Sequence, residues 1–80
     1  MKIRIKRKRN RNVWGLAHIE KKLIELDPVL VDKELLEIAS HETVHIVFPH
    51  LDEKSVLLLG QQLCDVLWRL KFRQVEDAEP

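Results

Sequence analysis

Eighty residues suffice for one small domain, of a size that often leans on a metal or another staple to hold its fold. A single cysteine, Cys64, excludes an intrachain disulfide and fits a reducing cytosol, and no apolar run approaches the roughly 18 residues of a membrane span. The net charge of +1 conceals an asymmetry: residues 1–11 carry seven basic side chains and no acid, whereas the remainder holds seven Lys and Arg against thirteen Asp and Glu.

Met1-Lys2-Ile3-Arg4-Ile5-Lys6 alternates apolar and basic residues, the period-2 pattern of a half-buried strand. Arg7–Asn12 reads as a polar link. Val13–Ile19 predicts a second strand, and Lys22–Leu26 a third that pairs with it as a hairpin across a turn near Glu20-Lys21. Asp27-Pro28 ends the third strand, because proline removes a ladder donor.

A helix is predicted from about Lys33 to Val47, with Asp32 as N-cap, Val31 and Leu36 as a hydrophobic staple, and Pro49 as the stop. A second helix begins at Asp52, stapled by Leu51 and Val56. Its apolar stripe comprises Val56, Leu59, Leu63, Val66, Leu67 and Leu70. It ends near Lys71–Arg73, and Gln74–Pro80 reads as an acidic disordered tail. The order βββαα predicts a single α+β domain over 1–73, with two helices packed on a short sheet.

The basic strip (Lys2, Arg4, Lys6, Arg7, Lys8, Arg9, Arg11) could bind nucleic acid or an acidic partner. No aromatic platform accompanies it, so an edge strand kept unpaired by its charges is the better reading. Cys64, set in Leu63-Cys64-Asp65-Val66, reads as a partly buried helical thiol. Leu57, Leu58 and Trp68 lie beyond the predicted stripe and leave room for a contact surface, hence a monomer or a homodimer.

Chemistry concentrates at His41-Glu42-Thr43-Val44-His45. Histidines four apart project from nearly one helical face and can grip one metal ion, with the intervening glutamate beside it as a candidate base. In a chain of this composition HExxH arises by chance on the order of one time in fifty, so context must carry the assignment. That context is favourable: the residues from Ile38 to Val47 are uncharged apart from Glu42 and the two histidines.

A catalytic zinc takes three protein ligands and leaves one position open. Three candidates for the third ligand are close in sequence. His50 follows His45 at a spacing that fits neither the same helical face nor a HExxHxxGxxH pattern. Asp52 is explained as an N-cap. Glu53 could reach the metal through a chain reversal at Phe48–Leu51, although acids also favour a helix start for its dipole.

The run Trp14-Gly15-Leu16-Ala17, Lys22–Pro28, Glu34-Leu35-Leu36 and His41–Glu53 resembles the compact zincin-like metallopeptidase domains of phages and bacteria. These are similar in layout to minigluzincins and to the zinc domain of the ImmA/IrrE peptidases. The resemblance covers roughly residues 14–72 and takes in the closing Leu67-Trp68-Arg69-Leu70. It implies a Zn²⁺ held by His41, His45 and Glu53, with Glu42 as the catalytic general base and a peptide or protein as substrate. Many zincins steady the oxyanion with a tyrosine or histidine. This chain has no tyrosine, which leaves His18 as a candidate for that role. It also lacks the larger C-terminal half that shapes the cleft in full-length zincins, which predicts a shallow site. The rival expectation, from a different class, is a non-catalytic zinc-stabilised module that binds through residues 2–11.

Overall fold

A computed structural model describes residues 1–75. Strands β1 (Arg4–Arg7), β2 (Gly15–His18) and β3 (Leu23–Leu26) precede helices α1 (Asp32–Val47) and α2 (Glu53–Arg69). This is the βββαα, α+β order that the sequence predicts. The predicted tail falls mostly outside the described residues; Gln74 and Val75 carry no regular structure.

The strands lie in the order β1-β3-β2. β2 and β3 form the expected antiparallel hairpin, with Ala17 opposite Ile24 and His18 opposite Leu23. Their turn contains no glycine; Lys22 supplies the left-handed residue instead, at φ 51°. β1 is an edge strand, as its charges suggest, and it runs parallel to β3 with Ile5 opposite Ile24. The Arg7–Asn12 link carries the chain from β1 to β2, turning at left-handed Asn12 (φ 71°) and closing on an Asn10–Val13 bridge, and the β2–β3 hairpin then brings β3 back parallel to β1.

Ile24, Leu26, Leu30 and Ile46 form the core between the sheet and α1, with Ala17, Leu35, Ile38 and Ala39 packed around them. Contrary to the expectation that both helices cover the sheet, only α1 does; α2 packs on α1 alone. The result is three layers in series: sheet, α1, α2.

Two further expectations are corrected at the helices. Asp32 does not cap α1. It sits inside the helix start at φ 53°, and the N-cap position falls to Val31, which has no side-chain acceptor. The turn before it is held from elsewhere. Arg7 Nη2 donates to the carbonyls of Asp27, Pro28 and Leu30 at 3.3, 3.2 and 2.8 Å, and Asp27 Oδ1 accepts from Val29 N at 2.9 Å. For α2, the predicted stripe is split. Val56 is buried and Leu67 half-buried, but Leu59, Leu63, Val66 and Leu70 are exposed. The face turned to α1 is instead Val56, Gly60 and Cys64. Small residues at four-residue spacing let two helix backbones approach, and that approach sets the rotation of α2. Asp52 caps α2 as expected, its carboxylate accepting from Ser55 N at 3.1 Å and Ser55 Oγ at 2.8 Å.

The buried polar side chains of β3 explain part of the basic strip. Glu25 accepts from Asn10 Nδ2 at 3.1 Å, lies 3.2 Å from His18 Nε2 and 3.9 Å from Lys8 Nζ, and stands opposite Lys6 in the ladder. Arg9 lies 3.9 Å from Asp27. The His18 contact, more than any other, holds the Glu25 carboxyl below its usual range; burial opposes this, and Asn10 and Lys8 assist. A depressed carboxyl stabilises the fold at pH values above its unfolded pKa, and the contribution is lost as pH falls through the folded value. Glu25→Gln should therefore lower Tm at pH 7. The gap to the unsubstituted protein should close as pH drops below about 4, when followed by circular dichroism.

Candidate metal centre

The reversal between the helices is tight. Phe48 N donates to Val44 O at 2.8 Å to end α1, and Leu51 N donates to Phe48 O at 3.0 Å. Asp52 then caps α2, so Glu53 is its first residue. Glu53 is separated from Val56, Gly60 and Cys64 by three, seven and eleven residues, which places it on the face turned to α1. The rotation of α2 thus aims its carboxylate at the end of α1.

There it meets both motif histidines. Glu53 Oε1 lies 2.9 Å from His41 Nε2 and Oε2 lies 3.1 Å from His45 Nε2, so the carboxylate bridges the two imidazoles. The rings sit edge to face with centroids 4.9 Å apart. One donor atom from each of His41, His45 and Glu53 falls within 4.8 Å of the others, a group that could hold a metal ion. Two imidazole nitrogens and one carboxylate oxygen form a donor set that suits a divalent transition-metal ion. The imidazoles are largely shielded, whereas the Glu53 side chain is 70% exposed and free to adjust by torsion around a cation.

Glu42 does not join this triad; its carboxylate lies against the start of β2. It is buried, and its Oε2 would lie 3.2 Å from a Cβ placed on Gly15 at the start of β2. A Cβ there would also stand 2.6 Å from Ile38 Cγ2, so only glycine admits this approach of strand to helix. Burial pushes the Glu42 carboxyl above its ordinary range and Glu53 adds to that, while the neighbouring His41 and His45 pull the other way. A groove of about 280 Å³ opens beside it, with Val13, Trp14 and Gly15 on one wall, Leu57, Gly60 and Gln61 on the other, and His41 and Glu42 at its floor.

The other sequence candidates lie elsewhere. His50 is exposed in the interhelical turn and Asp52 is spent on capping, so Glu53 alone of the three third-ligand candidates joins the histidines. His18 does not approach the triad as an oxyanion stabiliser would. Strand alternation puts it on the face opposite Ala17, where it contacts Glu25. Cys64 is buried more completely than expected, with Sγ 3.5 Å from Lys33 O, and burial pushes its thiol up, away from the thiolate form.

Sequence reasoning passed over both glycines of the chain. Gly15 admits Glu42. Gly60 admits His41, since a Cβ on Gly60 would stand 3.2 Å from the His41 Cα and N. Isolated glycines inside strand and helix patterns were the available signal for close backbone approach. Gly60→Val should force α2 off α1 and cost about 1–3 kcal/mol by overpacking, read as a lowered midpoint in urea. Gly60→Ala should cost less, because gained helix propensity offsets part of the crowding.

No family model, curated protein or solved structure matches this chain.

Proposed function

We propose that the protein is a zinc-dependent peptide hydrolase in which His41, His45 and Glu53 hold the metal and Glu42 is the general base. The observation that carries this reading is the division of labour around one helix end. Three donors converge within 4.8 Å of one another, and a second acidic group, Glu42, with its carboxyl raised by burial, stands next to them without joining them.

When bound, zinc would supply Lewis acidity toward a substrate carbonyl and an attacking water. Glu42 takes the proton from that water and returns it to the nitrogen of the departing amine, so its carboxyl cycles between ionised and neutral forms. A raised carboxyl suits both halves of that cycle. The outer edge of β2 is unpaired in the sheet and begins at Gly15, beside the Glu42 carboxyl. An extended peptide adding to this edge would run past Glu42 with its backbone held by main-chain hydrogen bonds. Gly15 keeps that passage free of a side chain.

The rival reading, a binding module using the basic strip, draws less support. Arg7 is engaged with three main-chain carbonyls, while Lys8 and Arg9 face the buried carboxylates of Glu25 and Asp27. Among the described residues no helix is long and apolar enough to cross a membrane.

Glu42→Gln should keep zinc at one per chain by elemental analysis while peptide cleavage falls by about 100-fold or more. Retained turnover in that variant would remove the mechanism. His41→Ala or Glu53→Ala should instead lose stoichiometric zinc. Chelation should lower Tm of the unsubstituted protein, because a ligand held at a hundredfold its Kd stabilises by about 2.7 kcal/mol. The same chelator should leave Tm of His41→Ala unchanged.

A further inference from the structure

A second cavity, of about 360 Å³, opens where the residues before β2 cross the first half of α1. It is lined by Trp14, Val29, Leu30, Glu34, Glu37 and Ile38. Trp14, Glu37 and Ile38 also line the groove over Glu42, so the two spaces adjoin along these side chains. Trp14 is 59% exposed, and its indole forms a wall between them rather than part of the core. Neither Glu34 nor Glu37 forms an ion pair among the described residues.

Each part of this cavity selects for the same kind of group. Val29, Leu30 and Ile38 offer an apolar surface suited to an alkyl stem. The indole of Trp14 attracts a cation placed over its face, and two unpaired carboxylates lie within reach of the same point. A neutral apolar occupant would shield Glu34 and Glu37 from water without giving them a partner, which is unfavourable. We propose that this cavity receives a lysine or arginine side chain of the peptide whose scissile bond lies at Glu42. The assignment of the peptide rests on the hydrolase reading above.

The spacing on α1 sets the position of that residue. Glu37 and Glu34 precede His41 by four and seven residues on one helical face, a rise of about 6–10 Å. An extended peptide covers this in about two to three residues. The basic side chain therefore lies two or three positions from the cleaved bond, and the intervening apolar groove passes beneath the backbone.

The test uses the full chain as Glu42→Gln, loaded with zinc and titrated with short Ala/Ser peptides that carry a single lysine, arginine, norleucine or glutamate. Binding is read from the shifts of backbone and indole NMR signals. Lysine and arginine peptides should move the Trp14, Glu34 and Glu37 signals and bind about tenfold more tightly than the norleucine peptide. The preference should vanish in Glu34→Gln/Glu37→Gln and fall steeply at about 0.5 M salt. Equal binding of norleucine, a preference that survives the double substitution, or no shift at these residues with any peptide would each overturn the proposal. Because the readout is binding, failure of the unsubstituted protein to cleave peptides would sink the hydrolase reading and leave this subsite standing. Conversely, cleavage indifferent to a basic residue at every position would keep the hydrolase reading and remove the subsite.

Discussion

The contact on which the site depends is the approach of Gly60 to the backbone of His41. Among the described residues α2 meets no other strand or helix than α1, so its rotation is set chiefly by this helix pair. Leucine is abundant on α2, and burial of a leucine stripe would stabilise more per residue than burial of Gly60 and Cys64. Close packing of two backbones compensates through many short-range contacts that a leucine stripe would hold apart. Had the leucines faced α1, Glu53 would have turned away from His41 and His45, since it shares the face of Val56, Gly60 and Cys64. A donor group that could hold a metal ion is thus assembled from two helices by a contact seven residues away from Glu53.

A second constraint acts on the opposite side of α1. β3 is central in the sheet, and two buried carboxylates lie in or just after it: Glu25 within the strand and Asp27 immediately beyond its end. Buried acids need partners, and the first eleven residues provide them: Asn10 and Lys8 at Glu25, Arg9 at Asp27, with Arg7 fixing the carbonyls of the turn that follows. In the sequence, the basic run reads as an edge strand whose charges keep it unpaired, set against an acidic body. In the fold, part of each answers the other. That arrangement anchors the turn leading into α1 through its carbonyls.

What the sequence made legible was local. The β2–β3 hairpin followed from alternation and Asp27-Pro28, the α1 boundaries from apolar spacing and Pro49, and the Asp52 cap from its side chain and the apolar run behind it. The HExxH pair and Glu53 belong to this class too, because a five-residue reversal leaves a first-turn residue near the preceding helix end. What was illegible depended on contacts remote in sequence. The parallel pairing of β1 with β3 has no signature within either strand. The face of α2 could not be chosen from its apolar residues, because they surround more than one side of the helix and the decisive one is a glycine. Asp32 was assigned as a cap on residue type, but the turn before α1 is satisfied by Arg7, 25 residues earlier in the chain. His18 met the chemical requirement for an oxyanion partner yet fell on the wrong face of its strand, where one residue of register separates the two sides.

The layered order of the fold ties the stability of the site to its chemistry. The core between sheet and α1 is small, and α2 reaches it only through α1. Any cation shared by His41, His45 and Glu53 would fasten the first turn of α2 to the last turns of α1, where the Glu53 carboxylate already bridges the two imidazoles. Ligation and helix docking would then be one equilibrium, so that each substitution weakening the helix contact also weakens the cation site, and the reverse. Glu42 stands outside that coupling. Its carboxyl is buried beside Gly15 on the sheet side of α1 and is not one of the donors that converge on the cation site. The same helix thereby separates two functions by face: one face closes the domain, and the other keeps a partly desolvated carboxyl next to an open strand edge.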